Sequence, residues 1–254
     1  MKDTTALAYV NMYGILGALE NLCELDTKAK SILAELKKPV ALCFSVKGGP
    51  CCTFTFGKNG CKMQEGEKHC TCKMSFSSPE KFNALIAESK PGLPTKNPLA
   101  VLQFLTGPFT KLTNRLSEVL QPKPEQLKDP DFFKLNTLIT LYTVAGAVSA
   151  LANNDPISKE SARYTVDGEV SLGIKGGASI TILVKDHRFT TLKQPAENPR
   201  AVMEFASLEL AHGLFAGEVS TVNEMCKGTI RLSGMISMLD NINRILDRVS
   251  VYLA

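Results

Sequence analysis

The sequence predicts an α+β fold: two similar domains, each with an antiparallel β-meander sheet covered by helices. Three observations predict it. Runs that alternate apolar and polar residues, the period of half-buried strands, lie between runs with helical apolar spacing. Short glycine turns separate the strand-like runs, as in antiparallel hairpins. The whole series also occurs twice along the 254 residues, a length that suits one large domain or two of ordinary size.

The repetition is read from five matches. Tyr13-x3-Gly17-Ala18-Leu19-x2-Leu22-x3-Asp26 returns as Tyr142-x3-Gly146-Ala147-Val148-x2-Leu151-x3-Asp155, at an offset of 129 (142 − 13). Val46-Lys47-Gly48-Gly49 returns as Ile174-Lys175-Gly176-Gly177, offset 128 (174 − 46). Ser78-Pro79 is matched with Asn198-Pro199, offset 120 (198 − 78). Leu105-Thr106-Gly107 is matched with Leu232-Ser233-Gly234, offset 127, and Asn114-Arg115-Leu116 with Asn243-Arg244-Ile245, offset 129. Self-similarity at a fixed period marks a duplicated unit. The dip to 120 predicts that the second copy lacks about one strand. The stretch Gln121–Pro130 is polar, carries three prolines and reads as a linker, which gives domains 1–124 and 125–254.

In the first copy, Leu16, Leu19, Leu22, Ile32, Leu33 and Leu36 fall at helical spacing. Asp3 or Thr4 caps the start and Pro39 ends the stretch. Val40, Leu42, Phe44 and Val46 alternate with Ala41, Cys43 and Ser45 as a strand. Lys47–Pro50 turns the chain, Cys51–Phe56 returns, and Lys58-Asn59-Gly60 turns it again. Cys61–Gln64 and Cys70–Phe76 then complete the meander. Ser78-Pro79-Glu80 starts a helix through Glu88. The second copy reads as a helix over 132–152, strands Val170–Ile174, Ser179–Val184 and Phe189–Leu192, and a helix from Asn198-Pro199 to about His212. A last amphipathic helix follows Gly107 in one copy and Gly234 in the other. Both opening helices are apolar nearly all round, which predicts burial on every face.

Charge and composition exclude several classes. A formal net charge of +4 is mildly basic, and no basic stripe interleaved with aromatics marks a nucleic-acid footprint. The densest basic stretch, Lys28, Lys30, Lys37 and Lys38 with Glu35 among them, reads as a solvated helix face. Residues 135–152 are uncharged, at the lower edge of a membrane span. Asn, Thr, Ser and Gly dilute that run, so a buried central helix is expected rather than a transmembrane segment. The opening residues lack a secretory pattern and eight cysteines suit a reducing compartment, so the expected location is cytoplasmic.

No catalytic constellation is visible. His69, His187 and His212 lie in unmatched places, and neither Gly-x-Ser-x-Gly nor His-Glu-x2-His occurs. Neither enzymatic activity nor a cofactor is expected. Six cysteines lie between 43 and 72, beside His69, with Cys-Cys and Cys-x-Cys spacing but no paired Cys-x2-Cys knuckle. The matching strands of the second copy have none, so these cysteines are read as small apolar residues and not as a metal site. The Lys-Gly-Gly turns precede strands, so they lack the helix N-terminus that favours anions, and they read as hairpin turns.

Ala211–Leu246 (AHGLFAGEVSTVNEMCKGTIRLSGMISMLDNINRIL) resembles the lipid-binding domain of the sterol carrier protein type-two family. Ala216-Gly217-Glu218-Val219 corresponds to that family's loop and Val222–Cys226 to its short helix. Lys227–Gly234 corresponds to its Gly-led strand, and the hairpin at Gly176-Gly177 to its opening strands. The resemblance covers most of 167–253 and only the outline of 40–120, where Gly92–Leu105 replaces the loop and strand with a proline-rich segment (PGLPTKNPLA). It implies two tandem diverged copies and an apolar tunnel between sheet and helices. Such a tunnel holds a fatty acyl chain, acyl-CoA or a sterol-like lipid without catalytic residues. The candidate lining is Phe205, Leu208, Leu214, Phe215, Val222, Met225, Met235, Met238 and Leu239. The expected role is therefore binding or transport of an apolar ligand, with transient membrane contact. The alternatives are an interaction protein with closed cores and, behind it, a Cys-rich metal-binding protein.

Overall fold

A computed structural model describes residues 2–88 and 98–253 and divides the chain into two units, Met1–Leu135 and Asn136–Ala254. In the first, Asp3 caps α1 (Thr4–Tyr9) by accepting from the Ala6 amide at 2.8 Å, which satisfies a donor that the helix leaves unpaired. The chain continues through a π-helical stretch, Val10–Ile15, and a 3-10 turn, Leu16–Ala18, into α2 (Leu19–Leu25). The helical stretch expected to reach Leu36 breaks at Asp26. Its backbone is extended, and its carboxylate opens α3 (Thr27–Ala34) by accepting from Ala29.

The sheet of this unit is built from β1 (Val40–Val46), β2 (Cys51–Gly57), β3 (Gly60–Glu65) and β4 (Cys72–Phe76), in the order β3-β2-β1-β4. β1, β2 and β3 form an antiparallel meander as expected, but β4 lies parallel to β1, with Leu42 opposite Cys72 and Val46 opposite Phe76. The sheet is therefore mixed. The reason lies in burial: Leu42, Phe44, Val46, Cys72 and Met74 are all buried, whereas β3 offers exposed Lys62, Gln64 and Glu65. Pairing beside β1 places the apolar residues of β4 in the core. Thr53 pins the crossover, donating to the Gly66 carbonyl at 2.9 Å and accepting from the Lys68 amide at 3.0 Å. The strands' apolar face carries Phe44, Phe54 and Phe56. Phe104 at the end of α5 (Pro98–Phe104) and Phe109, just before α6 (Thr110–Leu120), pack on these rings. Helix α4 (Pro79–Ala87) follows β4 and buries Phe82. Residues 89–97, which hold most of the proline-rich segment, lie outside the described residues.

Helix α7 (Pro130–Asn154) leads into the second unit, and every residue from Thr143 to Ala152 is buried. Among the described residues it is the one helix long and apolar enough to cross a membrane, and 78% of its most apolar window is buried. Asp155 then caps a further helix, α8 (Pro156–Arg163), which the sequence reading ended too early to include. The sheet runs β7-β6-β5-β8-β9, from β5 (Gly168–Ile174), β6 (Ser179–Lys185), β7 (Arg188–Leu192), β8 (Pro199–Phe205) and β9 (Ile230–Gly234). β8 is parallel to β5 and the other pairs are antiparallel.

The expected helix from Asn198-Pro199 is thus a strand for its first half. Ala201, Met203 and Phe205 are buried in alternation, a two-residue period that overrides the Asn-Pro signal. Helix α9 (Leu208–Phe215) starts only at Ser207, whose hydroxyl accepts from the Leu210 amide. Ser207 stands 129 residues after Ser78 (207 − 78), the residue preceding α4. β8 pairs with β5 as β4 pairs with β1, so no strand is missing from the second unit. Helices α10 (Thr221–Cys226) and α11 (Ile236–Leu253) complete it.

Candidate functional site

The edge of the second sheet formed by β8 and β9 is covered by α9, α10 and α11. Short capping contacts set the two small helices. Ser220 caps α10, and the Thr229 hydroxyl, just before β9, donates to the Glu224 carboxylate at 2.7 Å. Lys227 also binds that carboxylate at 2.7 Å, and with Thr229 it holds the Glu224 pKa below the ordinary range. Gly213 on α9 leaves room for Val219 to pack directly over it; a Cβ there would meet Val219 at 3.4 Å.

The nine candidate residues range from buried to exposed. Phe205, Met238 and Leu239 are buried, and Leu208, Leu214, Phe215 and Met235 are half-buried. Val222 and Met225 are exposed, at 66% and 41%. Phe205 and Phe215 meet edge to face with ring centroids 5.9 Å apart. Two further exposed apolar residues, Val219 in the loop between α9 and α10 and Ile236 at the start of α11, are absent from that candidate lining. Their signal was an apolar side chain in the glycine loop and one at a helix start.

Helix α11 is held at its far end by Asp155. This carboxylate accepts from the Ser158 amide and hydroxyl, from Arg248 and, at 2.7 Å, from the Tyr252 hydroxyl. Burial pushes the Asp155 pKa up, but the bonds from Arg248, Tyr252 and Ser158 outweigh it and bring the value down to about 2. In the first unit Asp26 is likewise a helix cap bound by an arginine, Arg115, at 2.9 Å. The match of Arg115 with Arg244 is one helical turn out: Arg248 takes the buried role, and Arg244 makes an exposed pair with Asp240.

The cysteines of the first sheet lie mostly in its interior. Cys43 and Cys51 bring their sulfurs to 4.0 Å, at the register where Ser171 and Ser179 meet at 3.1 Å in the second sheet. Burial pushes both the Cys43 and the Cys52 thiol up to about 12. Among the described residues, no group of three His, Cys, Asp or Glu is arranged to hold a metal ion. A thiol with so high a pKa holds almost no thiolate near neutrality. Native iodoacetamide treatment at pH 8, read by peptide mass spectrometry, is therefore expected to label exposed Cys226 first. Cys43 and Cys52 should react only after denaturation, and rapid native labelling of either would contradict this.

No family model matches the chain, and no curated protein matches it. Solved structures do. A UbiJ-SCP2 ubiquinone synthesis protein is 14% identical, with a TM-score of 0.32, over 42% of this chain and 94% of that one. A crystal structure of sterol carrier protein 2 is 17% identical, with a TM-score of 0.33, over 43% of this chain and 92% of that one. The α+β class itself is shown by the two mixed sheets and their helices.

Proposed function

We propose that the second unit binds the apolar chain of a lipid, such as a fatty acid, acyl-CoA or sterol-like molecule, at the α9–α10–α11 edge, without catalysing a reaction. The observation that carries this reading is the range from buried Phe205 and Met238 to exposed Val222, Met225 and Ile236. Val222 and Met225 stand three residues apart on α10 and so share a face. Methionines adapt to irregular apolar partners, and each methylene of a ligand removed from water contributes about 0.8 kcal/mol. The resemblance of Ala211–Leu246 to a lipid-binding domain supports the same reading. A carrier of this kind works in the cytoplasm and meets membranes only in passing. The matching pairing patterns of the two sheets, and the capping aspartates Asp26 and Asp155, support a duplication as the origin of the two units.

The test is titration of the delipidated chain with a fluorescent fatty acid. Saturable uptake is expected, and Met225→Glu or Val222→Glu should weaken it at least about tenfold, because a charge must then be desolvated beside the chain. Uptake unchanged by both substitutions, or no saturable uptake, would overturn the assignment.

A further inference from the structure

A recess of about 310 Å³ lies in the same unit at the opposite edge of the sheet, independent of the lipid reading. Its walls are the last turn of α7 (Ala152, Asn153), one side of α8 (Lys159, Ala162, Arg163) and the tip of the β6–β7 hairpin (Asp186, His187, Arg188).

The scaffold around it is fixed. The Asn153 side chain donates to the Phe189 carbonyl at 2.8 Å and accepts from the Phe189 amide at 2.9 Å, clamping edge strand β7 to α7. Thr191 adds a second stitch, donating to the Ala145 carbonyl at 2.7 Å. Asp155 sets the start of α8. Lys159 and Arg163 are four residues apart on α8 and so share a face. Ala152 and Ala162, both buried, keep the floor small. At the hairpin tip Asp186 and His187 adopt φ of 50° and 60°. Two residues in the left-handed region form a tight turn that non-glycine residues enter at a cost.

The charge is one-sided. The lining carries three basic side chains, Lys159, Arg163 and Arg188, and one acidic one, Asp186; the Asp167 carboxylate stands just outside, accepting from the Asp186 amide at 2.9 Å. Among the described residues, neither Lys159 nor Arg163 forms an ion pair, and the Arg163 guanidinium lies over the Tyr164 ring at 5.9 Å. The first unit lacks this concentration. At the offsets of 129 and 128 it has Glu24, Lys30 and Ala34 in place of Asn153, Lys159 and Arg163, and Gly60 in place of Arg188. The recess is therefore not a requirement of the repeated fold.

We infer that this recess binds a phosphate monoester group. A guanidinium binds a phosphate through paired hydrogen bonds and a lysine contributes a point charge. The volume is at the small end of ligand sites, enough for a phosphate and a few attached carbons. The same phosphate chemistry is offered by a soluble metabolite or by a lipid headgroup.

The experiment titrates the full chain at low ionic strength with glycerol 3-phosphate, followed by calorimetry. A second arm measures cosedimentation with phosphatidic acid vesicles, with phosphatidylcholine vesicles as the reference. Saturable one-to-one binding is expected in at least one arm. Arg163→Gln and Lys159→Gln should each weaken it about tenfold, the loss of one charge-assisted contact. Asp186→Asn should tighten it several-fold by removing the opposing charge, and Lys30→Gln should leave it unchanged. All four sites are exposed, so unchanged thermal midpoints would show that the fold is intact. Binding of glycerol 3-phosphate assigns a soluble ligand; binding only of phosphatidic acid assigns a lipid headgroup. Absence of saturable binding in both arms, equal binding to phosphatidylcholine, or indifference to Arg163→Gln and Lys159→Gln would overturn the site.

Discussion

Asp155→Ala is expected to lower the stability of the second unit by about 3–5 kcal/mol, the cost of removing one partner of a buried ion pair. Asp155 is 1% exposed. Its loss removes the cap of α8 and leaves Arg248, Ser158 and the Tyr252 hydroxyl without their shared acceptor. Tyr252→Phe removes one of these bonds and should cost about 1.5–3 kcal/mol, the range for a hydrogen bond to a charged group. Urea unfolding of the two variants separates the network from the single bond, and a loss below about 1 kcal/mol for Asp155→Ala would contradict the network. The same carboxylate sets an acid limb. Its pKa falls from an ordinary 3.8 to about 2, so its contribution is complete above the ordinary value. It is lost as pH falls from 3.8 toward 2, by about 2 kcal/mol in all. Asp155→Asn should flatten that limb in unfolding curves taken across this range, and an unchanged limb would assign it to other groups.

Gly234→Ala is expected to cost about 3 kcal/mol or more. Gly234 ends β9 with φ +84°, and a Cβ there would stand 2.2 Å from the Arg200 carbonyl oxygen and 3.0 Å from the Ala201 Cα. Both obstacles are backbone of β8, so the strand itself must move. Gly228 supplies the control. Its φ is +74°, with nothing within 4 Å of an added Cβ, so Gly228→Ala carries only the left-handed penalty of about 1–2 kcal/mol. Equal losses at the two glycines would show that close packing of the strands is not what requires Gly234. The consequence reaches the candidate site, because the next residue, Met235, donates its amide to Arg200 at 2.8 Å and starts the turn into α11.

How much of this was legible follows from what a period reports. Alternation located β1, β2, β5 and β6 because each buries one face, but a two-residue period does not say which edge of a sheet a strand joins. Hence β4 was placed beside β3 when it lies beside β1. Asn198-Pro199 was read as a cap because its local chemistry is that of a helix start, and the alternation of Ala201, Met203 and Phe205 decides otherwise only once β5 is alongside. The recurrence of Asp26 at Asp155 was plain, but its meaning was not. The arginines that bind these carboxylates arrive from 89 and 93 residues away, and the second has slipped by a turn. The apolar candidates were legible as a Met- and Leu-rich stretch, whereas their range from buried to exposed is a property of three helices packed on one edge. The basic recess was not legible at all, since residues 152–163 and 186–188 carry no motif until Asn153 clamps the hairpin in place.

The most direct test of lipid binding at this edge uses methionine methyl resonances of delipidated protein labelled with 13C-methyl methionine. Met225, Met235 and Met238 belong to the proposed binding edge, and Met12, Met63 and Met74 to the first unit. On titration with dodecanoate, the first three methyls are expected to shift together along one saturable curve, while the other three stay in place. Unshifted Met225, Met235 and Met238 at concentrations that saturate fatty-acid fluorescence, or shifts confined to Met12, Met63 and Met74, would contradict the account.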